Sequence, residues 1–235
     1  ITLILPFFTE LVSNTLHLVQ GGQPGWPQRH VPWRGVRDGQ PRFDHIPELR
    51  KERADLLKTS VKPQLVVAAS PLTAVLDTAF ITLVSSALKQ FEYPCEIILK
   101  LHPGDSRERF FREELKRQHA RWTIIRYCDT HRLLAGAMAV ITTQSSIGIE
   151  ALALGTPLII VDLPGIPHAV PYRELNAAIM VSTSNELVAA VKQTLHGGAS
   201  ILEMRDAGRR LAEDSLYRLD GKATSRVVSL IADKP

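Results

Sequence analysis

At 235 residues, 45% of them hydrophobic and 22% charged, the chain can bury a full core as one large domain, or as one domain plus part of another. It contains no run of about 18 apolar residues, so no membrane span is expected, and the apolar opening "ITLILPFF" has no basic lead and soon meets Glu10, unlike a secretory signal. A net charge of +4 suits an anionic ligand or surface; without aromatic–basic interleaving, nucleic acid is not the expected partner.

The chain begins with Ile1 rather than Met, which suggests a fragment whose preceding part is missing. Residues 1–20 read as a short helix or a pair of strands. The window 21–47 carries five of the fifteen prolines and five of the fourteen glycines, so no regular element is expected there. That length points to a linker, a crossing between domains or a functional loop. Its Arg29, Arg34 and Arg37 suit an anionic acceptor or simply solvent. From about residue 62 the pattern becomes regular. Strands are expected at 64–70, 95–101, 122–127, 139–143 and 157–162, with a sixth near "IMVST". Helices are expected at 71–91, 107–120, 130–137, 146–154, 185–196, 201–216 and 222–232, with Pro71 acceptable in a first turn. Cys95 and Cys128 fall in strand-like runs and read as buried, reduced thiols.

Strands alternating with helices imply a parallel sheet built from right-handed crossovers. The strands are continuous apolar runs, which predicts helices on both faces of the sheet. The fold class expected is therefore α/β, a Rossmann-like parallel sheet. Residues 46–235 would form this domain, and residues 1–45 a remnant of an earlier domain plus the Pro/Gly-rich linker.

In such sheets ligands bind outside the carboxyl ends of the strands. The residues there carry the candidate chemistry. "TTQSSIGIE" ends a strand and opens a helix, whose unpaired N–H groups and positive end suit a phosphate. Ser145 and Ser146 add hydroxyls, Thr143 and Gln144 lead into the tip, and Gly148 permits close approach of a ligand or a neighbouring strand. Serine is also an ordinary helix cap. Glu150 lies one turn into an otherwise apolar helix, where a carboxylate is costly unless paired or exposed. It could accept hydrogen bonds from a vicinal diol such as ribose. His102-Pro103 ends another strand, because proline cannot extend the ladder, and sets an imidazole at the crevice mouth for phosphate binding or proton transfer. Asp129 reads as a helix cap and His131 as a surface residue. The run "RERFFREELKRQ" reads as a solvated helix face with Arg–Glu pairs. Walker, Gly-x-Gly-x-x-Gly, Gly-x-Ser-x-Gly and zinc-spaced patterns do not occur, which argues against the common nucleotide hydrolases, dinucleotide dehydrogenases, serine hydrolases and metalloenzymes.

The segments "GQPRFDHI", "LKLHPGDS", "VITTQSSIGIEALALGTPLIIVDL" and "YRLDGKATSRVVSLI" together resemble the carboxyl-terminal domain of GT-B fold glycosyltransferases. The likeness is to the bacterial surface-polysaccharide group: capsule polysaccharide, polysialyl- and Kdo-transferases and CDP-glycerol glycerophosphotransferases. It covers residues 39–235. It implies transfer of a nucleotide-activated sugar or glycerol phosphate to a growing surface polysaccharide. His102-Pro103 and Ser145-Ser146 would hold the donor's nucleotide and phosphates, and Glu150 its ribose. The resemblance also implies a saccharide or lipid-linked acceptor, a missing amino-terminal domain, no cofactor or metal beyond the donor itself, and a cytoplasmic location with room for contact at the inner face of the membrane. Family members often read Gln-His-Gly where this chain has Gln20-Gly21-Gly22. Two alternatives stand beside this reading. One is a nonhydrolysing UDP-N-acetylglucosamine 2-epimerase, whose tip usually reads Asp-Ser-Gly-Gly followed by paired glutamates. The other is an α/β module that binds a ligand without catalysis.

Overall fold

The computed structural model describes residues 39–232, apart from 60, 61, 71, 92 and 167–169. The expectations for residues 1–38, including the amino-terminal remnant, Gly21 and the arginines at 29, 34 and 37, lie outside the described residues, as does Pro71.

A short 3-10 turn, Pro41–Phe43, leads into helix α1, Ile46–Thr59. There follow β1 (Gln64–Ala68), α2 (Ala74–Lys89), β2 (Glu96–Lys100), α3 (Glu108–Arg117), β3 (Thr123–Ile125), α4 (Thr130–Gly136), β4 (Ala137–Thr142), α5 (Ser146–Ala153), β5 (Leu158–Val161) and β6 (Ile179–Val181). Helices α6 (Ser184–His196), α7 (Ala199–Leu216) and α8 (Ala223–Ala232) complete the described chain. The strands form one sheet in the order β3-β2-β1-β4-β5-β6. Every neighbouring pair is parallel. This is the Rossmann-like α/β architecture expected from the alternation of elements.

The central strands β1, β4 and β5 each feed two cores, which is why each reads as an unbroken apolar run. Leu65 and Val67 of β1, Ile141 of β4, and Ile159 and Val161 of β5 pack on one face, with Phe80, Ile81 and Val84 of α2, Phe111 of α3 and Leu187 of α6. Val66, Val140, Leu158 and Ile160 face the other way, toward Ile46 and Leu49 of α1, Leu134 of α4, Leu152 of α5 and Leu211 of α7. Among the described residues no helix is long and apolar enough to cross a membrane.

Several boundaries differ from the sequence reading. Helix α2 starts at Ala74, because Thr73 takes the cap and accepts from the Leu76 amide. The third strand shrinks to Thr123–Ile125. Helix α1 was not anticipated. It buries only Ile46, Leu49 and Arg53, so its stripe is sparse, with an arginine in a core position. The Arg53 guanidinium donates to the Ala135 and Ala137 carbonyls at the end of α4, and burial pushes its pKa down to about 10. Arg50 and Arg205 do the same for the end of α5, through Ala153 and Gly155. Three arginines thus satisfy carbonyls that helix ends leave without partners. The packed body also takes in residues 39–45, grouped with the linker on sequence grounds: Phe43 is buried in the second core.

The cysteines need correction. Cys95 is half-buried just ahead of β2, and burial raises its thiol pKa; Cys128 is exposed beyond the end of β3. Neither lies within a strand, because both strands are shorter than their apolar runs.

Candidate functional site

Strand β1 pairs with β2 on one side and β4 on the other, and the chain order reverses between them. A crevice opens at such a switch point, outside the carboxyl ends of the strands. Here a cavity of about 770 Å³ does so. Its walls come from the end of β1 (Ala68, Ala69), the end of β2 (Lys100 to Pro103), the start of α4 (Asp129 to His131), the tip of α5 (Ser145 to Ile147) with Glu150, and Arg42 and His45. Two alanines at the end of the central strand leave space that larger side chains would fill.

The β2 end turns sharply. His102, Pro103, Gly104 and Asp105 form a β-turn closed by the Asp105 amide donating to the His102 carbonyl at 2.9 Å, with proline at the second position. The Gly104 amide donates to His102 Nδ1 at 3.0 Å. A neutral imidazole accepting at Nδ1 carries its proton on Nε2, so the turn sets the ring as a donor. Arg107 holds this turn in place. Its backbone N–H, Nε and Nη2 donate to Asp105, and its Nη1 donates to the Leu72 carbonyl and, at 2.6 Å, to Asp77. Arg107 therefore ties the loop after β2 to the loop after β1 and to the first turn of α2. It belongs to this tie and not to the solvated face expected of its helix, although Arg112–Glu108 and Lys116–Glu113 do form surface pairs. Burial raises the Asp77 carboxyl, partly offset by Arg107. Burial acts upward on Asp105 too, but the hydrogen bonds and charge of Arg107 outweigh it and hold that carboxyl below its ordinary value.

Lys100 is buried at the cavity floor and donates to the Leu101 and Arg126 carbonyls at 2.7 and 3.0 Å. Burial lowers its pKa, with Cys128 and Glu150 acting upward. Two of its three N–H groups are engaged, which leaves one donor on a fixed cation.

On the β4 side, Ser145 caps α5 and accepts from the Ile147 amide at 3.4 Å, while Ser146 is exposed and lines the cavity. The tip before them is braced from β1: Ser70 donates to the Gln144 carbonyl at 2.8 Å, and Thr143 donates to the Ser70 hydroxyl at 3.1 Å. One turn on, Glu150 is 9% exposed and faces two partners. Arg42 Nη2 stands 3.6 Å from Oε1, and His131 Nε2 stands 3.3 Å from Oε2.

Of the residues singled out by sequence, His102, Pro103, Ser145, Ser146 and Glu150 converge on one cavity. Thr143, Gln144 and Gly148 do not line it. Thr143 is buried and, with the Gln144 carbonyl, serves the brace to Ser70. Gly148 does allow a close approach, but to protein: a Cβ there would stand 2.9 Å from the Tyr172 hydroxyl and 3.2 Å from Leu158 of β5. Asp129 is the expected cap, accepting from the Arg132 amide. His131 is not a surface residue; it packs against His45 and Phe43 inside the cavity wall. Arg42, His45 and Lys100 were missed as site residues. The lysine closing the apolar run "EIILK" was the available signal for one of them.

The family model described as capsule polysaccharide biosynthesis protein matches residues 65–165. That span holds every cavity residue except Arg42 and His45. Solved structures share the architecture. They include a glycosyltransferase from Rickettsia africae (13% identity, 85% of this chain and 57% of that one, TM-score 0.55). They also include a co-structure of S. aureus MnaA with UDP (15% identity, 84% and 56%, TM-score 0.54). A UDP-N-acetylglucosamine 2-epimerase matches as well (16% identity, 83% and 50%, TM-score 0.53). The chain has a GT-B glycosyltransferase-like fold. This GT-B-like chain spans about half the length of the solved structures it matches. No curated protein sequence matches it.

Proposed function

We propose that this chain supplies the donor-nucleotide site of an enzyme that transfers a nucleotide-activated sugar or glycerol phosphate onto a growing surface polysaccharide. The observation that carries the reading is the meeting, in one cavity at the switch point, of the α5 tip with Ser145 and Ser146, the donor-set His102, and Glu150. The amide and hydroxyl of Ser146, His102 Nε2–H and the Lys100 ammonium are all donors or cations, suited to phosphate oxygens. Glu150 is an acceptor, suited to the ribose diol. Charge builds on the leaving phosphate as the bond to the transferred group breaks. Donors fixed in advance stabilise that charge without reorganising, and this is the chain's share of catalysis. His102 also stands where it could pass a proton to that phosphate. The acceptor, saccharide or lipid-linked, and the base that activates it belong to an amino-terminal domain facing the cavity. In this reading the donor is a substrate, no further cofactor takes part, and the work is done in the cytoplasm at the inner membrane face.

A second reading, a UDP-N-acetylglucosamine 2-epimerase, is favoured by the structural neighbour of that name. The tip Thr143-Gln144-Ser145-Ser146 and the single Glu150 weigh against it. The two readings part on products: an epimerase converts UDP-N-acetylglucosamine with no acceptor present, and a transferase does not.

Calorimetric titration of the chain with CMP, CDP and UDP tests the site. One nucleotide is expected to bind selectively, and Ser146→Ala and His102→Ala each to weaken it by about tenfold, the worth of one charge-assisted hydrogen bond. Variants that bind as tightly as wild type would remove the helix tip and the imidazole from the site.

A further inference from the structure

The carboxylate of Glu150 is approached from two sides, and on one side the contact runs on through a second imidazole of the cavity wall. His131 Nε2 stands 3.3 Å from Oε2, and His131 Nδ1 stands 2.8 Å from His45 Nε2. A carboxylate only accepts, so this approach is favourable when His131 carries a proton on Nε2. In the neutral ring with that tautomer, Nδ1 accepts and His45 donates from Nε2. Phe43, with its ring centroid 5.5 Å from that of His131, packs against the imidazole, and Asp129 fixes the helix turn that carries it. On the other side Arg42 stands 3.6 Å from Oε1, its guanidinium lying over the Phe43 ring at 4.4 Å. Each carboxylate oxygen thus faces one partner and keeps a lone pair. A lone pair left on each of two oxygens at the cavity wall matches the two hydroxyls of a vicinal diol.

We propose that His131, backed by His45, is a positioning residue that sets the Glu150 carboxylate for a vicinal diol and so makes the site selective for ribonucleotides over 2′-deoxyribonucleotides. The inference rests on the donor-site reading and deepens it. His131 touches no reacting atom; it acts through Glu150. A side chain that only filled space would contribute to the fold and leave the choice of sugar unchanged.

The test is calorimetric titration of the whole chain with CMP, CDP and UDP and with the 2′-deoxy counterpart of each. Wild type is expected to favour the ribose form by about tenfold or more, the worth of one hydrogen bond to a charged acceptor. His131→Ala should narrow that preference to about threefold or less while binding the 2′-deoxy form as wild type does. His131→Gln, which keeps an N–H donor and an acceptor, should retain most of the preference, and His45→Ala should show a partial loss. Circular dichroism checks the fold of each variant; should His131→Ala fail to fold, His45→Ala, at an exposed position, carries the test. If wild type binds no nucleotide, the donor-site reading itself falls. Binding without preference for ribose overturns the diol role of Glu150. If wild type discriminates and His131→Ala or folded His45→Ala discriminates equally, the positioning role alone is overturned.

Discussion

Asp105 shows how much of this site is decided one side chain at a time. Its carboxylate takes three donors from Arg107, which places the turn that carries His102. Its folded-state pKa lies below the ordinary 3.8, so the folded state binds this proton less readily than the unfolded chain. The resulting stability is complete above that ordinary value and is lost as the pH falls through the lower, folded-state value. Asp77, raised by burial, works in the opposite sense and blunts the acid response. Asp105→Asn is therefore expected to lower stability near neutrality by about 1–2 kcal/mol. The gap to wild type should close in urea melts taken below pH 3.8. Residues of this kind were unequally legible in the sequence. His102 and the serine pair sit where strands end, and strand ends can be found from hydrophobic runs. Lys100 hides within such a run, and only the structure shows the carbonyls of Leu101 and Arg126 that make its burial tolerable. His131 looked like a surface residue because its partners, His45 and Glu150, arrive from elsewhere in the chain.

At the scale of elements, the parallel sheet and both helical layers were readable because doubly buried strands differ from half-exposed ones in their patterning. Helix α1 was not, since a core-facing arginine broke its apolar stripe. The packing of α5 on α7 was equally hidden. It depends on Gly208, where a Cβ would stand 2.6 Å from Leu152 Cδ2 and 3.3 Å from the Ala177 carbonyl. Local propensity treats a glycine within a helix as a weakness, whereas here it permits the approach of two helices. Gly208→Ala should cost about 1–3 kcal/mol through overpacking. With Leu152→Ala added, the combined loss should be smaller than the sum of the two single losses. A double-mutant cycle by chemical denaturation reads the coupling, and additive effects would show that the two positions do not meet.

Across the whole molecule, the order of strands places the cavity, while residues from far outside the central strands finish it. Asp44 Oδ1 and Oδ2 accept from the Ala223 and Thr224 amides at 2.7 and 2.8 Å, so a side chain before α1 caps the last helix. Gly39 and Gly221 fit the same seam, with positive φ angles of 78° and 74° that favour glycine. Asp44 stands between Arg42 and His45, both of which line the cavity. Loss of this cap in Asp44→Ala is expected to lower stability by about 1 kcal/mol, read by thermal melting. It should also weaken nucleotide binding, read by titration, whereas an Arg226→Gln change in the same seam should spare the affinity.

The Asp44 cap also gives assembly an order in time. On a ribosome the segment bearing Arg42 and His45 emerges long before residues 223 and 224, which complete its anchorage. The strands emerge first, but the wall of the cavity facing Glu150 is anchored only once the helix Ala223–Ala232 is in place. A nascent chain would therefore expose the strands that frame the cavity before it can anchor this wall of it.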